Sequence, residues 1–138
     1  MSAVHADGFN DARTHLKELF NAALRGHVAT VRRDNSQVVL VDGDRMRHFL
    51  ASIISSKAEV VNEGGGWSVF IPGLPVAADG ATFNDAIDEM VDALREYADD
   101  WQERLSVAPN HQENWALVQL ISLSGDLELR DWLVGSPR

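Results

Sequence analysis

The sequence predicts an α+β fold built from two small modules. Three observations predict it. Apolar residues recur at helical spacing in several stretches, the longest running from Phe83 to Leu105. Short β-branched runs, HVATVRR with QVVLVDG and AEVVN with WSVFI, come in pairs separated by turn residues. The order is helix, hairpin and helix, followed by a strand pair, a long helix and shorter C-terminal helices.

Residues 9–24 read as the first helix. Ala12, Leu16, Leu19, Phe20, Ala23 and Leu24 share one face, Asp7 or Asn10 caps the start, and Gly26 stands where a helix stops. HVATVRR and QVVLVDG follow as strands, and the RDNSQ between them suits a tight hairpin turn. Asp42 or Asp44 caps a second helix, whose stripe is Met46, Phe49, Leu50, Ile53 and Ile54. SSK closes this module, residues 1–57. A helix, a two-stranded ribbon and a helix bury too little apolar surface to stand alone, so the module is expected to dimerise.

The second module, residues 58–138, opens with AEVVN and WSVFI around an EGGG turn, where glycine supplies positive φ. Pro72 and Pro75 cannot donate to a sheet ladder, so PGLPVAADG is an edge strand or a loop. Thr82 caps the next helix, with Asp85 in a near capping box. Its apolar stripe is Phe83, Ala86, Ile87, Met90, Val91, Leu94, Tyr97, Ala98, Trp101 and Leu105. Asp88, Asp92, Glu96, Asp99 and Glu103 crowd the remaining surface. Beyond it, Asn110 and Glu113 form a capping box ahead of Trp115, Val118, Leu120 and Ile121. Gly125 interrupts, Asp126 restarts the helix, and Gly135 ends it.

Charge divides the chain. Residues 1–57 hold eight Lys and Arg against six Asp and Glu, a balance of +2; residues 58–138 hold four against fifteen, a balance of −11. Such asymmetry points to different partners for the two halves. The absence of cysteine excludes disulfides, thiolate metal sites and a Cys nucleophile, and suits a reducing cytoplasm. No run of eighteen apolar residues is present, and MSAVHADGFNDARTH has neither the basic start nor the apolar centre of a secretory signal. A cytoplasmic protein is expected. There is no glycine-rich phosphate loop with a lysine and no HExxH. The carboxylates follow one helical surface instead of converging from several elements. His111 with Glu113 makes too small a ligand set for a metal. No enzyme, cofactor or metal site is expected.

FNDARTHLKELFNAALRGHVATVRRDNSQVVLVDGDRMRHFLASI resembles the Phd/YefM family of antitoxins. That family shows an A-R-x-x-L-x-x-L helix, a strand ending in an Arg near a tight turn, a second strand, and a helix with an acidic start. The matching residues are Ala12, Arg13, Leu16, Leu19, Arg32 or Arg33, Val38 to Val41, and Asp44 to Leu50. The family usually opens with a short strand, for which MSAVHADGF has little strand character. The resemblance implies a dimer that binds operator DNA at its own promoter, with Arg13 in the first turns of a helix and Arg32 and Arg33 beside a turn. Guanidinium groups bind phosphates or read guanine edges bidentately. Strand alternation puts Arg32 and Arg33 on opposite faces, so both cannot enter one groove. Lys17, His15 and Arg25 read as solvated.

EGGGWSVFIPGLPVAADGATFNDA resembles the HicB-like antitoxin domain: strand, glycine-rich turn, strand ending in P-x-L-P, then a G-x-T-x-x-E-A helix start. The matching residues are Gly64 to Gly66, Trp67 to Ile71, Pro72, Leu74, Pro75, Gly80, Thr82, Asp85 and Ala86. Gly73 and Val76 depart from that pattern, and the family usually carries its DNA-binding element after this domain. Together the resemblances imply a type II antitoxin. Residues 58–138 would cover a small, basic, RNA-cleaving toxin, RelE/ParE-like rather than HicA-like, through Asp88, Asp92, Glu96 and Asp99. Trp115 and Trp132 either anchor that interface or complete the core. The alternatives are a DNA-binding regulator without a toxin, and a small ligand-binding or structural domain.

Overall fold

The computed structural model describes residues 2–135. It is α+β, with six α-helices and two three-stranded sheets among the described residues. The chain forms two compact units that divide between His48 and Phe49.

The first unit runs β1 (Val4–Asp7), α1 (Gly8–Thr14), α2 (Leu16–Leu24), β2 (Ala29–Arg33) and β3 (Ser36–Val39), and ends within α3 (Gly43–Ile53). Its sheet has the order β1-β2-β3, with β1 parallel and β3 antiparallel to β2. Two sequence expectations are corrected here. Val4–Asp7 is a strand, paired from Val4↔Ala29 to Asp7↔Arg32. It is stabilised by a partner more than twenty residues away, which local strand character does not report. The helix expected over 9–24 is broken at His15. There the His15 backbone N–H and Nδ1 both lie 3.0 Å from the Asp11 carbonyl, and φ −111°, ψ 22° leave the helical region.

The core of this unit is Leu19 with Ala6, Ala22, Ala23 and Ala29. The expected stripe is only partly used. Leu19 and Ala23 are buried, whereas Leu16, Phe20 and Leu24, at i, i+4 and i+8, are each about half exposed or more. In α3 only Leu50 of the expected stripe is fully buried, and Phe49 and Ile53 lie at the surface. Asp34 turns the β2–β3 hairpin with φ 54°, a conformation Asp tolerates. The Asp42 carboxylate caps α3 by accepting from the Arg45 N–H at 3.1 Å.

The second unit pairs β4 (Glu59–Glu63), β5 (Gly66–Phe70) and β6 (Ala77–Gly80) as an antiparallel sheet in that order. Gly64 and Gly65 make the β4–β5 turn with φ 62° and 80°. The stretch after Pro72 and Pro75 ends in β6, at the sheet edge. Helix α4 (Phe83–Glu103) begins at Thr82, whose Oγ1 accepts from the Asp85 N–H at 3.0 Å. A Cβ on Gly80 would stand 2.3 Å from the Ala86 backbone nitrogen, so only glycine lets β6 meet the start of α4.

Ala86, Ile87, Met90, Val91, Leu94, Tyr97, Ala98 and Trp101 of α4 are buried as their period predicts. They pack with Val69, Ile71 and Val76, and with residues of α5 (Trp115–Leu123) and α6 (Asp126–Val134). The Asn110–Glu113 capping box does not form. The chain instead makes a 3-10 turn at Gln112–Asn114, and the Asn114 amide turns away to donate to Tyr97 Oη at 2.7 Å. Half of such a box forms at α6, where the Gly125 N–H donates to Glu128 Oε1 at 2.7 Å. Arg95 of α4 satisfies the end of α5 by donating to the Ile121 and Ser124 carbonyls at 2.6 and 2.8 Å.

Candidate functional site

In the first unit, sheet alternation sorts the candidate arginines. Val4, Ala6, Ala29 and Val31 face the helices and join the core. The opposite face carries two rows set by register: His5, Thr30 and Val39, then Asp7, Arg32 and Gln37. His5 Nδ1 and Thr30 Oγ1 share a hydrogen bond at 2.5 Å. Asp7, Arg32 and Gln37 are exposed and, with His5, Asp11 and Thr30, line a shallow cavity of about 290 Å³. The Arg32 guanidinium and the Gln37 amide have no hydrogen-bond or ion-pair partner among the described residues.

Arg33 points the other way. Its guanidinium lies 4.3 Å above the Phe9 ring and 3.9 Å from the Asp34 carboxylate. Arg13 is exposed and donates to Asn10 Oδ1 at 2.8 Å. Because α1 stops at Thr14, Arg13 sits in its last turn rather than in the first turns of a longer helix. The three arginines therefore do not converge on one spot. Next to Arg13, the His15–Asp11 pair is polarised. The Asp11 carboxyl is held below its usual value, first by the Asp7 backbone N–H and then by His15. The His15 imidazole is raised, chiefly by its bond to the Asp11 carbonyl and also by the Asp11 carboxylate.

In the second unit the carboxylates of α4 form a continuous seam. Asp85, Glu89, Asp92, Glu96, Asp99 and Glu103 are spaced four, three, four, three and four residues apart. They are all exposed, and their carboxylates have no partner among the described residues. At 1.5 Å per residue the seam runs about 27 Å. Asp85 and Glu89 complete a row that includes the predicted Asp92, Glu96 and Asp99; their 4-3-4 spacing was readable in the sequence. Asp88 borders the seam but is engaged by Arg130 of α6, which also donates to Asn84 Oδ1 at 3.1 Å.

The two candidate tryptophans differ. Trp115 opens α5 and is 48% exposed. Trp132 is half-buried against the core, and its Nε1 donates to the Ile54 carbonyl at 2.7 Å. It lines a cleft of about 490 Å³ of mixed polarity, with Ile53, Ile71, Leu74 and Leu117 beside Lys57, Glu113 and Asn114. His111 is spent inside the unit: Nδ1 shares a hydrogen bond with Tyr97 Oη at 2.8 Å, and its carbonyl accepts from Trp101 Nε1 at 2.7 Å. No group of three or more His, Asp or Glu among the described residues could hold a metal ion. No described helix is long and apolar enough to cross a membrane.

A family model of PHD-like proteins, described as "Antitoxin of toxin-antitoxin, RelE / RelB, TA system", matches residues 4–128. The chain belongs to this antitoxin family. The antitoxin is thus a regulatory protein rather than an enzyme, and its family implies a toxin as partner. Its fold is similar to the crystal structure of an antitoxin part of a proposed toxin/antitoxin system from Syntrophomonas wolfei subsp. wolfei. The TM-score is 0.78 over 96% of each chain, at 19% identity. No curated protein matches the sequence.

Proposed function

We propose that this antitoxin neutralises a small, basic, RelE/ParE-like ribonuclease toxin by direct binding and represses its own operon, in the cytoplasm. The division of labour follows the two modules: residues 1–57 are Phd/YefM-like, dimerise and bind operator DNA, and residues 58–138 are HicB-like and bind the toxin. The observation that carries the reading is the unpaired carboxylate seam on α4. A ribonuclease needs Arg and Lys to hold RNA, and a row of free carboxylates competes for those groups and steers the encounter. Exposed ion pairs add at most about 1 kcal/mol each, so apolar contacts supply much of the affinity. Trp115 is the accessible aromatic anchor for them. Asp88 borders this surface, and both Asp88 and Trp132 already have an intramolecular partner.

Dimerisation is supported by the apolar surface that the first unit leaves open, with Leu16, Phe20 and Leu24 along α2 and Val38 on β3. DNA binding is supported by the exposed Arg13 and by the unpartnered Arg32, while Arg33 holds the hairpin against Phe9. The test is co-expression with the adjacent open reading frame. Growth rescue and co-purification as a stable complex are expected. A harmless neighbour and no complex would contradict the toxin assignment.

A further inference from the structure

We propose that Gln37 is a sequence-reading residue of the operator-binding face, acting with Arg32 as a cross-strand pair on base edges in the major groove. The inference rests on the DNA-binding reading above and adds which residues carry sequence information. Three observations lead to it.

Arg32 and Gln37 are direct partners in the β2–β3 register, so their side chains leave the sheet side by side on the same face. That face lies opposite the helices α1 and α2, and both residues are exposed. Neither side chain has a partner among the described residues, so the hydrogen-bonding groups of both are available to a ligand.

The chemistry selects base edges over phosphates. The third member of the row is Asp7, directly across β2 from Arg32. A carboxylate at that position disfavours the DNA backbone but is compatible with a base edge, which offers donors as well as acceptors. Arg matches the O6 and N7 of guanine, and Gln the N6 and N7 of adenine. The major groove admits a two-stranded ribbon, and the β2–β3 hairpin is the part that would enter it, with β1 beside β2 at its edge. Partner residues about 5 Å apart reach neighbouring steps of a duplex that rises about 3.4 Å per base pair. Arg13, with only Asn10 beside it, is left for phosphate contact.

The test uses the full-length protein and two duplexes: the DNA immediately upstream of its own reading frame, and a scrambled duplex of equal composition. Affinities are measured over a range of salt. Gln37→Ala is expected to lower the upstream-to-scrambled ratio about 5- to 150-fold, with the salt slope unchanged. Gln37→Glu keeps the shape and loses the amide donor, and is expected to lower the ratio similarly. Arg13→Ala is expected to weaken both duplexes alike and to reduce the slope by about one. An unchanged ratio in both Gln37 variants, with Arg32→Ala still reducing it, would overturn the Gln37 assignment and leave DNA binding intact. No preference of the wild-type protein for the upstream duplex would overturn the DNA reading and the Gln37 assignment together. Gln37 is exposed on an edge strand, so its variants fold; unchanged circular dichroism checks this.

Discussion

The first unit closes on one leucine and four alanines, whereas the second closes on sixteen buried residues that include two aromatics and the whole apolar face of α4 from Ala86 to Trp101. The first unit is not poor in apolar side chains. It holds Phe9, Leu16, Phe20, Leu24, Val38 and Val39 outward, each about half exposed or more. In the second, α4 turns its apolar stripe inward and lines its outer surface with carboxylates. The difference teaches that helical periodicity does different work in the two halves. In α4 it builds the unit's own core, and in α2 it builds a face that asks to be covered. A small module that leaves such a face open gains stability from association.

The strongest way to sharpen this comparison is to truncate a fully buried residue on the self-sufficient side. Leu94→Ala should destabilise the second unit by about 2–5 kcal/mol, read by urea unfolding of the full chain. Phe20→Ala on the other side should act differently. It should weaken self-association by about 2 kcal/mol, or roughly thirtyfold, in analytical ultracentrifugation. A monomer destabilised as much as by Leu94→Ala, with association unchanged, would erase the distinction between the units.

Smaller effects probe local devices. Thr82→Ala removes the α4 cap and should cost about 1 kcal/mol in the second unit, leaving association of the first unaltered. The smallest effect is the pH dependence of the His15–Asp11 pair. The His15 pKa is raised in the fold, so its contribution is complete below the unfolded value near 6.5 and fades as pH rises through the folded value. The Asp11 pKa is lowered, so its contribution is present above 3.8 and fades as pH falls through the folded value. Both groups are exposed, so the signal is weak. Thermal unfolding of wild type against His15→Gln from pH 5 to 8 should show a slight loss above about 6.5 in the wild type only.

How far the sequence carried this account depended on the range of the interaction. The extent of α4, its buried stripe, its Thr82 cap and the glycine turn before it are local, and all were legible. β1 was not, because its partner is β2, joined across α1 and α2. The break at His15 has no Gly or Pro to announce it; it falls where the imidazole and the backbone N–H share the Asp11 carbonyl. Alternation separated Arg32 from Arg33, but which of them lies on the sheet face away from α1 and α2 depended on where those helices pack. Asp88 read as one free carboxylate among several, and its partner Arg130 is 42 positions away.

On the proposed reading, the acidic seam of α4 serves the toxin and the arginine-bearing unit serves DNA. The most direct test is to titrate wild type and the variant Asp92→Asn/Glu96→Gln/Asp99→Asn with the purified toxin across salt, and the same two proteins with upstream DNA. The account predicts toxin affinity lower by on the order of tenfold with a flatter salt dependence, and unchanged DNA affinity. Toxin affinity that the three substitutions leave unchanged would contradict it.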